Sequence, residues 1–204
     1  MGWALVRGKR RMIKQEIFTK TSRIYLDIEN KIKEMYEFSD KNDYKLTDLY
    51  KSFDILVQVL LLYISISNDN VSNDELEFID KLTIEEDILD EYNYQFDKNL
   101  TWDNLNEIFM DSKSFEAFIN DTYDLFYFKL SKLIMFLASV DSYTNKDYYS
   151  IIRAELKEML ELFILIDDNK DNNIDLVLDK VILNKYLSLK NMFKLVIEKN
   201  KEKN

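Results

Sequence analysis

The sequence contains no proline, and its only two glycines are Gly2 and Gly8. From Met12 onward the chain therefore lacks both residues that tight hairpin turns recruit for their backbone angles. A β-sandwich or barrel needs many such turns, so a β-rich fold is strongly disfavoured. Apolar residues instead recur at helical spacing along almost the whole chain. We expect an all-α protein, a single-domain bundle of seven to eight helices.

Polar turns divide the helical pattern into segments. The second segment, near residues 47–67, is apolar nearly all round from Ile55 onward, so we expect it to be the buried central helix. Two later starts match the capping-box pattern, in which a Ser or Thr and a Glu three residues later bond each other's free amides: Ser72 with Glu75, and Thr83 with Glu86. The expected helices occupy residues 12–38, 47–67, a segment from 72, 83–96, a short turn behind 101, 114–140, 147–166 and 174–199.

Missing side chains exclude much enzyme chemistry. The chain has no histidine and no cysteine, so imidazole or thiol catalysis, thiolate zinc sites and disulfides are absent. Carboxylates are abundant, but context singles out no catalytic pair, so we expect a protein that is not an enzyme. Arg153 has no acid in helical reach, and we expect it to face solvent or a partner. No apolar run approaches the roughly 18 residues of a membrane span, and we expect a cytoplasmic protein without a transmembrane segment.

Residues 1–11 differ from the remainder of the chain. They hold both glycines and four basic residues, and they contain no acid. We expect a basic leader, disordered or artefactual, ahead of one helical domain at 12–204. The alternative is a basic arm that binds nucleic acid or anionic lipid.

Charge is strongly segregated along the chain. The formal net charge is −10, yet residues 74–124 hold sixteen acids against three lysines, a net of −13. Direct nucleic-acid binding is therefore not expected. An acidic surface that carries aromatic residues suits a basic protein partner, and an inhibitor or immunity-type protein would use one in this way. The alternative is a solvated surface. The candidate partner-binding residues are Glu85, Glu86, Asp90, Glu91 and Trp102; partner identity and oligomeric state stay open.

Two turns between apolar helices resemble the repeated signature of the TerB-like family of all-helical tellurite-resistance and co-chaperone N-terminal domains. Residues 68–75 are similar to it in spacing, residues 141–148 form a fainter copy, and the resemblance spans about residues 47–165. It implies binding of a divalent cation (Ca²⁺, Mg²⁺ or Mn²⁺) by acidic side chains, and no other cofactor is expected. The alternative function is thus a metal-responsive module in stress or membrane-associated signalling. The candidate metal ligands are Asp69, Asp74, Glu75 and Asp141.

Overall fold

The computed structural model describes residues 2–39, 44–66, 71–83, 87–109, 111–144, 146–166 and 174–201, with the backbone alone for 2–11 and 201. The described residues are almost entirely helical and contain no β-strand, which confirms the all-α prediction. The helices are α1 (Gly2–Phe38), α2 (Leu46–Ile66), α3 (Asn73–Leu82), α4 (Ile88–Phe96), α5 (Leu105–Ile108), α6 (Ser112–Thr144), α7 (Tyr148–Ile164), α8 (Ile174–Leu178) and α9 (Asn184–Lys201).

The centre of the bundle is α2, as its composition predicts. Every residue from Ser52 to Ser65 is buried, and the helix packs chiefly against α6, with α1, α7 and α8 on its other sides. Within the described residues α2 is the single helix that is long and apolar enough to cross a membrane, yet 83% of its most apolar stretch is buried inside the bundle. Its apolar surface is thus covered by the neighbouring helices.

Two fully buried polar side chains on α2 tie other elements to this core. Tyr25 of α1 donates its hydroxyl hydrogen to the carboxylate of Asp54. The side-chain oxygen of Gln58 accepts the backbone amide of Ile88, the first residue of α4, at 3.1 Å. Because a buried polar group needs a partner, these bonds fix where the neighbouring helices meet α2.

Helix boundaries follow local capping signals in part. Ser72 and Glu75 form the predicted capping box at the start of α3. The second predicted box is wrong at Thr83: its hydroxyl donates to the carbonyl of Ile79 and so closes the end of α3. Asp87 provides the cap of α4 instead. The first helix begins at Gly2, ten residues before its predicted start, so the backbone of residues 2–11 continues α1.

The C-terminal helical stretch contains one π-helical turn. Residues Asp179–Leu183 form this π-helical turn between α8 and α9. The three segments make one continuous helix, so the described residues form eight continuous helices. Arg153 of α7 donates to Asp175 at 2.9 Å and to Asp179 at 3.1 Å. The expectation that Arg153 faces solvent or a partner is therefore wrong, because its acidic partners come from the next helix.

Candidate acidic docking site

The strongly acidic segment folds into α3, α4, α5 and the first half of α6, and it encloses an open cavity of about 230 Å³. The cavity lies between the end of α3, the start of α4 and the loop that follows α4. Four carboxylates and four other residues line it: Asp80, Asp87, Asp90, Asp103, Leu89, Leu100, Thr101 and Trp102. We call these residues the acidic pocket. Its charge and size fit the head group of a lysine or an arginine.

The N-terminus of α4 positions the half-buried carboxylate of the pocket. One oxygen of Asp87 accepts the amide of Leu89 at 2.9 Å, and the other accepts the indole N–H of Trp102 at 3.2 Å. Gln58 of α2 holds the adjacent residue Ile88. Two hydrogen bonds therefore orient the carboxylate of Asp87, and a third holds its neighbour in the chain.

Two asparagines shape the loop that carries Trp102. Asn93 bonds both backbone groups of Leu100, each at 2.8 Å, while Asn104 accepts the amide of Thr101 at 2.7 Å. The turn begins at Asp97, whose φ of 50° is left-handed, a conformation that Asp tolerates better than most residues. These bonds hold the loop against α4, so the wall of the pocket is built before any partner arrives.

The pocket disfavours the charged form of Asp87. Burial raises the pKa of the Asp87 carboxyl above its ordinary value of 3.8, and the negative charges of Asp90 and Asp80 raise it further. The bonds from Leu89 and Trp102 act in the opposite direction. A cation in the pocket would relieve this repulsion, and that relief favours a positively charged ligand.

The structure separates the predicted partner-binding residues. Asp90 is exposed and lines the pocket. Trp102 lines it too but is only 7% exposed, so it forms a wall of the pocket and offers little surface of its own for contact. Glu91 forms an ion pair with Lys129 of α6. Glu85 and Glu86 lie outside the described residues.

Among the described residues of this surface, the most exposed aromatic residue is Tyr94, which the predicted set of partner-binding residues omits. Its side chain is 89% exposed, and it lies four residues after Asp90, hence on the same face of α4. Phe96 and Ile108 are also exposed nearby in the chain. The spacing from Asp90 was the available signal in the sequence; the exposure of Tyr94 and the burial of Trp102 depend on the tertiary fold.

Three of the four predicted metal ligands have other partners in the structure. Asp74 forms an ion pair with Lys14, Glu75 completes the capping box, and Asp69 lies outside the described residues. Among the residues that the structure describes, no three acidic side chains come close enough together to hold a metal ion.

Asp141 is a helix-capping carboxylate. It was predicted in a turn, but α6 continues through Thr144 and buries it. It accepts the amides of Tyr148 and Tyr149 at 2.8 and 3.1 Å and the hydroxyl of Tyr186 at 2.6 Å. Negative charge at the start of α7 is favourable, since the free amides and the helix dipole both point there.

Comparison of the sequence with protein-family models found no match, and neither did comparison with curated proteins or with solved structures. The resemblance to the TerB-like family therefore stays a prediction from the two turns.

Proposed function

We propose that this protein is a non-enzymatic interaction module that docks a basic protein partner on the acidic surface of residues 74–124. The observation that carries the proposal is the acidic pocket itself, in which four carboxylates surround a preformed cavity. The negative charges of Asp90 and Asp80 disfavour the charged form of Asp87, and a cation bound in the pocket would offset that cost. A lysine or arginine of the partner supplies that cation.

The proposed mechanism has two stages. The negative field of the surface steers the basic partner and accelerates encounter, an effect that falls with ionic strength. A basic side chain then enters the pocket between Asp87 and Asp90, while the exposed ring of Tyr94 packs against the neighbouring part of the partner. Tyrosine is among the residues that contribute most to interface free energy. Blocking a basic nucleic-acid-binding protein is the sharper form of this function.

The experiment compares two variants that change the net charge equally. In the pocket variant Asp80, Asp90 and Asp103 become Lys; in the matched control the exposed acids Asp27, Glu158 and Glu161, far from the pocket in sequence, become Lys. Each protein serves as bait in lysate of its own cell at about 0.05 M and about 1 M salt, where the Debye length falls to about 3 Å.

The proposal predicts one dominant basic partner, retained by the wild type and the control at low salt and lost by the pocket variant. The wild type and the control should release this partner at high salt. A partner that the pocket variant retains as well as the control does would overturn the assignment of this surface. Melting curves of all three proteins show whether each variant is folded.

A further inference from the structure

The helix α9 leaves much of its apolar surface in water. After Tyr186 none of its apolar side chains is fully buried, although Leu189 and Phe193 pack partly against the core. Four of them are exposed: Leu187, Met192, Leu195 and Val196. Met192, Leu195 and Val196 follow one another at helical spacing of three and four residues, so they form one continuous patch. This helix has a second face that the bundle does not cover.

The same helix is basic. Its sequence holds five lysines and one acid, Glu198. Lys185 and Lys190 lie over the rings of Tyr127 and Tyr186. Lys194 and Lys199 are exposed beside the apolar patch and make no ion pair with another described residue. The free face of α9 therefore combines apolar contact area with positive charge.

The positive charge of α9 limits which surfaces can pack against this face. Two copies of α9 packed on each other would bring lysines against lysines, which is unfavourable. The acidic surface has the opposite charge, with a net of −13 over residues 74–124. It also exposes apolar groups of its own at Tyr94, Phe96 and Ile108. The surface that complements α9 in both charge and apolar character is thus present on every copy of this chain.

We propose that the α9 face of one copy docks on the acidic surface of a second copy, with a lysine of α9 directed to the acidic pocket. The inference rests on the proposed function because it uses the same acidic surface, which here is occupied by the basic helix α9 of a second copy. Such a contact joins two different surfaces. Two copies that exchange both contacts close into a two-fold dimer, whereas copies that share one contact keep a free acidic surface and a free α9 face, through which association continues or closes into a larger ring.

The test uses two neutralised variants, measured singly and mixed, by sedimentation at low salt. In the pocket-neutral variant Asp80, Asp90 and Asp103 become Asn; in the α9-neutral variant Lys194, Leu195 and Lys199 become Gln. The wild type should exceed the monomer mass of 24.6 kDa in a concentration-dependent way and return to it at about 1 M salt. Each variant alone should stay monomeric. An equimolar mixture should form dimers and nothing larger, because it contains one intact pair of surfaces.

Matched controls separate the failure of this inference from the failure of the proposed function. A variant with Glu158 and Glu161 changed to Gln, both exposed on α7, should associate like the wild type. A short arginine–glycine repeat peptide serves as an independent basic probe. One outcome overturns self-association alone: the wild type stays monomeric, and the peptide binds the wild type but does not bind the pocket-neutral variant. A monomer that ignores the peptide overturns both proposals.

Discussion

Two stacked tyrosines differ in the hydrogen bonding of their hydroxyl groups. The rings of Tyr149 and Tyr186 are 3.8 Å apart and 11° from parallel. The hydroxyl of Tyr186 donates to Asp141 and accepts from Lys190, whereas that of Tyr149 is buried, has no well-aligned hydrogen-bond partner among the described residues and lies near the guanidinium of Arg153. Replacing Tyr186 by Phe therefore removes a bond to a buried carboxylate and one from a lysine, while replacing Tyr149 by Phe removes neither.

We expect the Tyr186→Phe substitution to lower the free energy of unfolding by about 1.5–3 kcal/mol, the range for hydrogen bonds to charged groups. Tyr149→Phe should change the free energy much less, because its hydroxyl is already desolvated and makes no well-aligned hydrogen bond within the described part of the chain. Urea denaturation of both variants measures the difference. Equal losses would show that the bond to Asp141 contributes nothing beyond ring packing.

Asp87 should make stability depend on pH. Its pKa is raised by burial and by Asp90 and Asp80, so the folded protein binds this proton more tightly than the unfolded chain does. Its contribution to stability is therefore present below its ordinary pKa of 3.8 and is lost as the pH rises through the higher folded value. Asp87→Asn removes this titration and keeps a good helix cap.

Denaturation in urea across a pH series tests this sign. Relative to Asp87→Asn, the wild type should lose free energy of unfolding as the pH increases from 3.8 upward. A difference that stays constant with pH, or that changes in the wild type's favour, would show that Asp87 is not the strained carboxyl of the pocket.

At the scale of elements, α4 depends on a side chain from the core helix. Gln58 accepts the first amide of α4, and the next residues of that turn carry the pocket. Gln58→Met fills a similar volume but leaves the amide of Ile88 without that acceptor. We expect a loss of about 1–3 kcal/mol in the free energy of unfolding, with a red shift of Trp102 emission in a Trp3→Phe background.

Ser65→Ala is the matched control on the same helix. Ser65 is also fully buried, but its hydroxyl bonds to Leu61 within α2 and makes no hydrogen bond to another element in the part of the chain that the structure describes. Its substitution should leave Trp102 emission unshifted. If both variants shift the emission equally, the disturbance comes from α2 as a whole and Gln58 has no specific role at α4.

The sequence predicted elements whose signals are local and missed those whose signals are distant. The capping box of Ser72 and Glu75 spans three residues, so pattern alone predicts it. Arg153 finds its acids 22 and 26 residues later, beyond any helical spacing. Asp141 caps α7 across seven and eight residues. Such contacts depend on which helices pack against each other, and local spacing in a single sequence does not reveal that packing.

At the scale of the whole molecule, composition determined the fold class and charge segregation located the candidate site. The central helix was predictable because α2 is apolar on every face. The pocket was not, since it requires Asp80, Asp87, Asp90 and Asp103 to converge from three separate segments. The exposure of Tyr94 and the burial of Trp102 likewise follow from packing, which periodicity does not specify.

Neutralising the pocket should stabilise the molecule. Three fewer negative charges reduce repulsion around Asp87, so the pocket-neutral variant should melt at a higher temperature than the wild type, with a weaker dependence on salt. Binding surfaces commonly carry such a stability cost. Calorimetry at low and high salt measures it. A lower melting temperature would mean that these carboxylates support the fold, and the argument for an external ligand would lose its basis.

The most direct test of the central claim is the emission of Trp102 during titration with the arginine–glycine repeat peptide. Trp3→Phe leaves Trp102 as the single tryptophan of the chain, and its indole lies on the wall of the acidic pocket. The account predicts a saturable change in emission that disappears at about 1 M salt and in the pocket-neutral variant. Emission that stays constant throughout the titration, or that changes equally in the pocket-neutral variant, would contradict it.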